Sequence, residues 1–170
     1  MMLYRNGYIV VTVNNYCPFS YEAWPLSKIK DDTANQLTEE ADERWFIVYA
    51  MHEIAPDIDY ARRYADCCRK MGIEPAVLLV ETPEKSFVVN DEIVLKEILG
   101  FDCIGTVGFS YLKTDVGVST KGLHLNKYGL FDSPEDALEY GKRRREVIAS
   151  GVNLEDFWEE TPIRLSVIQI

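Results

Sequence analysis

The sequence predicts an α+β fold, with a mixed β-sheet and helices packed against it. Short apolar runs of strand length alternate along the chain with segments of helical periodicity. A length of 170 residues is that of one ordinary domain. The composition, 47% hydrophobic and 27% charged, is typical of a folded globular chain and excludes wholly disordered classes. We therefore predict a single domain that spans residues 1–170.

A βαβ unit is predicted at about residues 45–80. The runs 45–51 and 76–80 are continuously apolar and of strand length, as expected of strands that are covered on both faces. Between them lies a helix that begins near Asp57, has apolar residues at i, i+3, i+4 and i+7, and ends at Gly72. A strand, a helix and a strand at this spacing predict two parallel strands joined by a right-handed crossover.

The remaining elements follow from capping and alternation. Ser133 as an N-cap and Pro134 at the first helical position form the clearest helix start in the chain. Asn90 as an N-cap and Gly100 as a stop predict another helix. In chain order the further elements are a strand at 7–13, a helix at about 31–42, a helix at 91–99, a strand at 101–112, a helix at 134–149 and a strand at 163–170.

The charge of the chain limits its partners. Eighteen basic and 28 acidic residues give a formal charge of −10. This charge disfavours loose binding to nucleic acid or anionic lipid and attracts a basic partner. The basic run 142–145 has carboxylates nearby on its own helix, which predicts a solvated, ion-paired surface. No segment approaches the roughly 20 apolar residues that a membrane span requires, so no membrane association is predicted.

The cysteines predict a reducing compartment. They lie at positions 17, 67, 68 and 103 and form no C-x-x-C pair. A chain of this size needs no disulfide to hold it together, so we expect free thiols and a cytoplasmic protein. Cys68 is expected on the buried face of its helix, and Cys67 is expected to be partly exposed. Neither has the setting that lowers the pKa of a reactive thiol.

Four residues near predicted strand ends are candidates for catalysis. His52 and Glu53 follow the strand at 45–51, Asp57 lies in the first turn of the next helix, and Glu81 follows the paired strand. Ligands of open parallel sheets bind outside the carboxyl ends of the strands, where these groups would meet. They could hold a divalent cation or act as a general acid and base. Because no spacing is as specific as H-E-x-x-H, no metal or cofactor is assigned. Helix capping and solvated loops are the simpler interpretation.

An acidic segment near the end of the chain is a candidate docking surface. It places two large aromatic side chains among four carboxylates, in the order Glu155, Asp156, Phe157, Trp158, Glu159 and Glu160. Trp is a common interface anchor, and the surrounding charge steers a complementary partner. In the alternative interpretation the aromatic side chains turn inward and cap the core, while the carboxylates stay in water.

Two classes of function remain open. The first is a small acidic cytoplasmic interaction protein that docks on a basic protein, as an immunity or inhibitor protein does. The second is a small hydrolase or transferase with its site near His52 and Glu53. We favour the first because of the charge balance and the lack of a catalytic motif. The residues leave the partner, the substrate, the oligomeric state and the presence of any enzymatic activity undetermined.

Overall fold

The computed structural model describes residues 1–12, 32–44, 47–49, 52–83, 85, 88–104, 117–151 and 161–170. The helices in this part of the chain are α1 (Asp32–Arg44), α2 (Ile58–Lys70) and α3 (Pro134–Ala149). The strands are β1 (Tyr4–Thr12), β2 (Ile47–Tyr49), β3 (His52–Ile54), β4 (Pro75–Thr82), β5 (Leu95–Ile104) and β6 (Thr161–Ile168).

Four strands form the main sheet, in the order β1-β4-β6-β5, and every neighbouring pair is antiparallel. Strands β2 and β3 form a second, two-stranded antiparallel sheet. With three helices beside these sheets, the structure confirms the predicted α+β class. The mixed strand direction that we predicted is not found, since the described ladders are all antiparallel.

The βαβ unit predicted at about 45–80 is not confirmed. Strand β2 pairs with β3 across a connection of two residues, whereas β4 pairs with β1 and β6. An antiparallel pair needs only a short connection, whereas a parallel pair needs a long crossover. A continuous apolar run is compatible with either arrangement, so the hydrophobic pattern could not distinguish them.

The helix predicted at 91–99 is wrong, because β5 begins at Leu95. Two register irregularities, at Lys96 and Leu99, interrupt the pairing of β5 with β6. Each bulge adds one residue to β5, so every third residue returns to the same side of the strand. Leu95, Ile98 and Phe101 are therefore equivalent positions, and their three-residue spacing imitates a helical pattern.

Buried side chains cover both faces of the main sheet. On one face, Tyr8, Val77 and Leu79 pack with residues of α1 and α2. On the other face, Leu78 and Leu165 belong to a second apolar cluster. Helix α3 packs against β5 through a third cluster, formed by Phe101, Cys103, Phe131, Ala137 and Tyr140.

Helices α2 and α3 begin where the sequence predicted. The Asp57 carboxylate accepts a hydrogen bond of 2.7 Å from the Tyr60 backbone N–H. The Ser133 hydroxyl accepts one of 3.1 Å from the Asp136 backbone N–H. These side chains satisfy backbone donors that the first helical turn leaves unpaired. No described helix is long and apolar enough to cross a membrane.

Two predictions about helix faces are corrected. Cys67, expected to be partly exposed, is fully buried together with Cys68. Arg144, expected on a solvated helix surface, is also fully buried. In α3 the buried positions include Ala137, Tyr140 and Arg144. The spacing of these positions places Arg144 on the helix side that faces the core, which charge alone does not predict.

Candidate functional site

The structure separates the predicted catalytic residues. His52 and Glu53 lie in β3, opposite Tyr49 and Val48 of β2, and their side chains fall outside the described part. Asp57 caps α2. Ala55 pairs with Tyr8 in the antiparallel sense, so β3 extends from Ala55 towards the Thr12 end of β1.

Glu81 lies towards the other end of the sheet, opposite Arg5 near the start of β1. The expectation that these groups meet required parallel strands whose carboxyl ends share one edge. The antiparallel order places Glu81 at a different end from His52. A catalytic role for His52 and Glu53 stays a prediction. In the described ranges, no three His, Cys, Asp or Glu side chains are grouped so that they could hold a metal ion.

Glu81 forms a two-pronged ion pair with Arg164 on the neighbouring strand. Arg164 Nε and Nη2 donate to the carboxylate oxygens at 2.7 and 2.9 Å. The Glu81 side chain is 7% exposed. Its hydrogen bonds to Arg164 raise the pKa of the guanidinium. Both residues lie in inner strands of the sheet, so this pair ties β4 to β6 and gives Glu81 a structural role.

A second polar contact attaches the chain after β4 to β1. The fully buried Tyr8 donates from its hydroxyl to Asp91 Oδ2 at 2.7 Å. Burial, and then the hydrogen bond to Asp91, raises the pKa of Tyr8. Nearby, the Val89 backbone N–H donates to the Arg5 carbonyl at 2.9 Å. These contacts hold Val89 and Asp91 against the outer side of β1.

The predicted docking segment Glu155–Glu160 lies outside the described residues. It belongs to the stretch of chain that joins Gly151, just after α3, to Thr161, the first residue of β6. The roles assigned to its carboxylates and to Trp158 therefore stay predictions.

Half of the lysines and arginines in the described ranges form salt bridges with carboxylates of the chain. Salt bridges of at most 4.0 Å involve Arg62, Arg63, Arg69, Lys127, Lys142, Arg143 and Arg164. Several exposed carboxylates, in contrast, have no salt bridge within the described ranges: Asp32, Glu39, Glu74, Glu92, Asp132, Glu135 and Glu146. Exposed carboxylates of the described ranges therefore contribute to the formal charge of −10.

Sequence reasoning missed an exposed apolar strip at the edge of the main sheet. Val94, Leu95 and Ile98 are all exposed at the start of β5. Exposed apolar side chains on an edge strand are typical of interaction sites. The mistaken helix at 91–99 hid this strip, because it removed these residues from the sheet. Assigning these residues to a strand with bulges would have placed the apolar side chains at the sheet edge.

A cavity of about 260 Å³ lies where β4 and β5 begin. Its lining includes Arg69, Glu74 and Lys96, and neither Asp57 nor Glu81 contributes to it. This volume is slightly below the about 300 to 1,000 Å³ of typical ligand pockets. The candidate catalytic residues with described side chains therefore do not share this cavity.

Comparison with known proteins found no relative of this chain. No protein-family model matches the chain, and no match was found among curated proteins or solved structures.

Proposed function

We propose that this protein is an interaction protein that docks on a basic protein partner, in the manner of an immunity or inhibitor protein. The observation that carries the proposal is the set of exposed carboxylates. Half of the described lysines and arginines form salt bridges, and exposed carboxylates such as Glu39, Glu74 and Glu146 have no salt bridge in that part of the chain. A surface of this kind attracts a basic partner over a distance of about 10 Å at 0.1 M salt.

The acidic segment Glu155–Glu160 is the proposed docking surface. Its four carboxylates would speed the encounter, and Trp158 would anchor the complex once it has formed. The proposed compartment is the cytoplasm. Cys67, Cys68 and Cys103 are free thiols, which is the usual state of cysteines in a reducing compartment.

The test begins with affinity capture from the native cell. The immobilised chain is incubated with lysate at about 0.05 M and about 0.5 M salt, and retained proteins are identified by mass spectrometry. We expect one basic protein, retained in near-equal amount at low salt and released at high salt. The association rate of the two purified proteins should then fall steeply as salt rises.

Two charge-reversal variants test where the partner docks. The first changes the four carboxylates of the docking segment to lysine: Glu155, Asp156, Glu159 and Glu160. The matched control makes the same change in net charge at exposed carboxylates elsewhere: Glu39, Glu74, Asp132 and Glu146. We expect about tenfold slower association for the first variant and a smaller effect for the control. Trp158→Ala should speed dissociation by about tenfold or more.

Four outcomes would count against the proposal or its details. Capture of no basic protein, or binding that is insensitive to salt, would overturn the docking function. Equal slowing by both variants would show that the overall charge matters and that the segment Glu155–Glu160 is not the docking surface. An unchanged dissociation rate for Trp158→Ala would show that Trp158 does not anchor the complex.

A further inference from the structure

The start of β5 presents an apolar strip that the docking segment does not include. Val94 is 62% exposed, Ile98 is 54% exposed and Leu95 is 40% exposed. β5 is a terminal strand of the main sheet, with β6 on its inner side. Leu95 and Ile98 therefore present apolar surface on this edge strand, and the exposed Val94 lies directly before it.

At Leu95 and Ile98, the backbone N–H and C=O groups point outward, away from β6. The N–H and C=O groups of Phe101 both bond to Phe131 on the outer side of β5. Phe101, Ile98 and Leu95 lie opposite Arg164, Ser166 and Ile168 of β6, which are spaced two residues apart. Because inward and outward groups alternate along an antiparallel ladder, Ile98 and Leu95 point the same way as Phe101.

These outward groups have no partner within the described ranges. Among the described residues, no hydrogen bond reaches the outward N–H or C=O of Leu95 or Ile98. In contrast, Asn126 Nδ2 donates to the Leu99 carbonyl at 2.7 Å, and Phe131 covers Phe101. The open part of the edge is therefore short and ends where the chain around residues 126–131 closes it.

The two bulges do not prevent another strand from pairing with the open part of β5. Bulges often protect an edge by disturbing its hydrogen-bond spacing. Here the outward groups of Leu95 and Ile98 are level with Ile168 and Ser166, two residues apart on β6. An added strand would thus meet donors and acceptors at regular spacing. The bulges also direct both apolar side chains to one face of the sheet, since Ile168 and Ser166 share that face.

We propose that an extended segment of the basic partner adds to this open edge as a further strand. The charge of the partner rests on the function proposed above. A second copy of the chain fits less well, because two chains of formal charge −10 repel each other. Among the described residues near the strip, the exposed Glu92 and Lys96 balance each other, and Lys127 pairs with Glu97 at 3.5 Å. The preference for a basic segment therefore comes from the net charge of the chain.

The segment that fits has apolar side chains at alternate positions and lysine or arginine between them. Its apolar side chains would pack on Leu95 and Ile98, since alternate residues of a strand share one face. Its backbone would pair with their outward groups, which is the usual source of affinity when a strand is added to a sheet edge.

A synthetic peptide tests this geometry directly. The probe is acetyl-KVKVKVK-amide, and the control peptide has the same residues with alternating L and D configuration, so that charge and apolar content are kept while strand geometry is lost. Binding is measured by calorimetry, and hydrogen exchange of each amide is followed by NMR. We expect binding of the all-L peptide, at least about tenfold weaker binding of the control, and slower exchange at the Leu95 and Ile98 amides.

Matched variants assign the binding to the edge. Ile98→Lys removes an apolar contact and adds a positive charge, while Leu138→Lys makes the same kind of change at an exposed position on α3. We expect about tenfold weaker peptide binding for Ile98→Lys and less than about twofold for Leu138→Lys.

Each other result would overturn the inference. These results are equal binding of the two peptides, equal loss in the two variants, or exchange protection confined to other residues. A dimer in analytical ultracentrifugation that Ile98→Lys dissociates would identify a second copy as the occupant instead. If the captured partner binds Ile98→Lys as tightly as the original chain, the edge inference fails while the docking function stands. If no basic protein is captured, the docking function fails and the peptide still tests the edge.

Discussion

The two outer edges of the main sheet differ in how they are closed. At β1, Tyr8 exchanges backbone hydrogen bonds of 2.9 and 2.7 Å with Ala55, and Arg5 accepts one from Val89. At β5, Phe131 makes the equivalent exchange with Phe101, at 2.8 Å in both directions. The start of β5 has no such cover among the described residues. One edge is therefore closed at two separated points, and the other is closed over only part of its length.

The backbone exchanges of Tyr8 with Ala55 and of Phe101 with Phe131 share one requirement, a glycine beside the point of close approach. A Cβ atom at Gly7 would lie 2.5 Å from the Ala55 carbonyl oxygen, and one at Gly100 would lie 2.7 Å from that of Phe131. The φ angles of these glycines, +152° and +135°, also favour a residue without a side chain. Segments of this chain thus form backbone hydrogen bonds with an edge strand where a glycine allows them to approach it closely. Where no described segment covers an edge strand, its outward N–H and C=O groups can bond to another strand.

The largest effect is expected when these glycines are replaced. Gly7→Ala and Gly100→Ala should each lower the free energy of unfolding by about 3 kcal/mol, because overpacking adds to backbone strain. The matched control is Gly122→Ala. Gly122 has φ +81°, but a Cβ there would meet nothing within 4 Å, so the loss should be about 1 kcal/mol from strain alone. Denaturant unfolding measures all three. Equal losses would show that close approach is not what seals the edges.

A smaller effect is expected from the tyrosine hydroxyls beside each edge. Tyr8 donates to Asp91 beside β1, and Tyr128 donates to Glu97 in β5. Tyr8→Phe should lower the free energy of unfolding by about 1 to 3 kcal/mol, since it removes a hydrogen bond to a charged group in a buried setting. Tyr128→Phe should cost less, because Tyr128 is only partly buried.

The pH dependence of stability tests the buried Tyr8 hydroxyl further. The pKa of Tyr8 is raised in the folded protein by burial, so the unfolded state loses the proton first as pH rises above about 10. The Tyr8 contribution to stability is present below pH 10 and falls above it. Tyr8→Phe should therefore flatten the alkaline loss of stability. An unchanged slope above pH 10 would contradict the raised pKa.

The smallest effect is expected at the open part of β5. Ile98→Lys should change the free energy of unfolding by less than about 0.5 kcal/mol, because the side chain is largely exposed. In hydrogen exchange, the amides of Leu95 and Ile98 should exchange faster than those of Tyr8 and Phe101, which have backbone acceptors across the edge. A loss above about 1 kcal/mol, or slow exchange at Ile98, would mean that this edge is already covered.

Several elements were predictable because their signals are local. Helix α3 begins after Ser133 and includes Pro134, and α2 follows Asp57, as capping chemistry requires. Ala61 and Cys68 are buried, as the helical spacing predicted. The strands β1, β4 and β6 also overlap their predicted runs, because apolar strand-length segments between turns leave little alternative.

The positions of the candidate site residues were less predictable from the sequence than the helices and strands were. Glu81 was predicted to join His52 and Glu53, but its position opposite Arg164 follows from the register of two antiparallel strands distant in sequence. The apolar strip on β5 was missed because Asn90 and Gly100 have the residue types of a helix cap and a helix stop, while the residues from Leu95 onward form a strand with bulges. The docking segment Glu155–Glu160 stays a prediction from charge and aromatic content.

The amino-acid sequence by itself determined the α+β class, the starts of α2 and α3, and the acidic charge that underlies the proposed partner. These properties depend on short-range periodicity, on side chains that cap their own helix, or on composition. The tertiary structure alone decided the antiparallel strand order, the burial of Arg144, the Glu81–Arg164 ion pair and the open edge of β5. These features depend on contacts between segments far apart in the chain, and such contacts are selected by packing and register over the whole sheet.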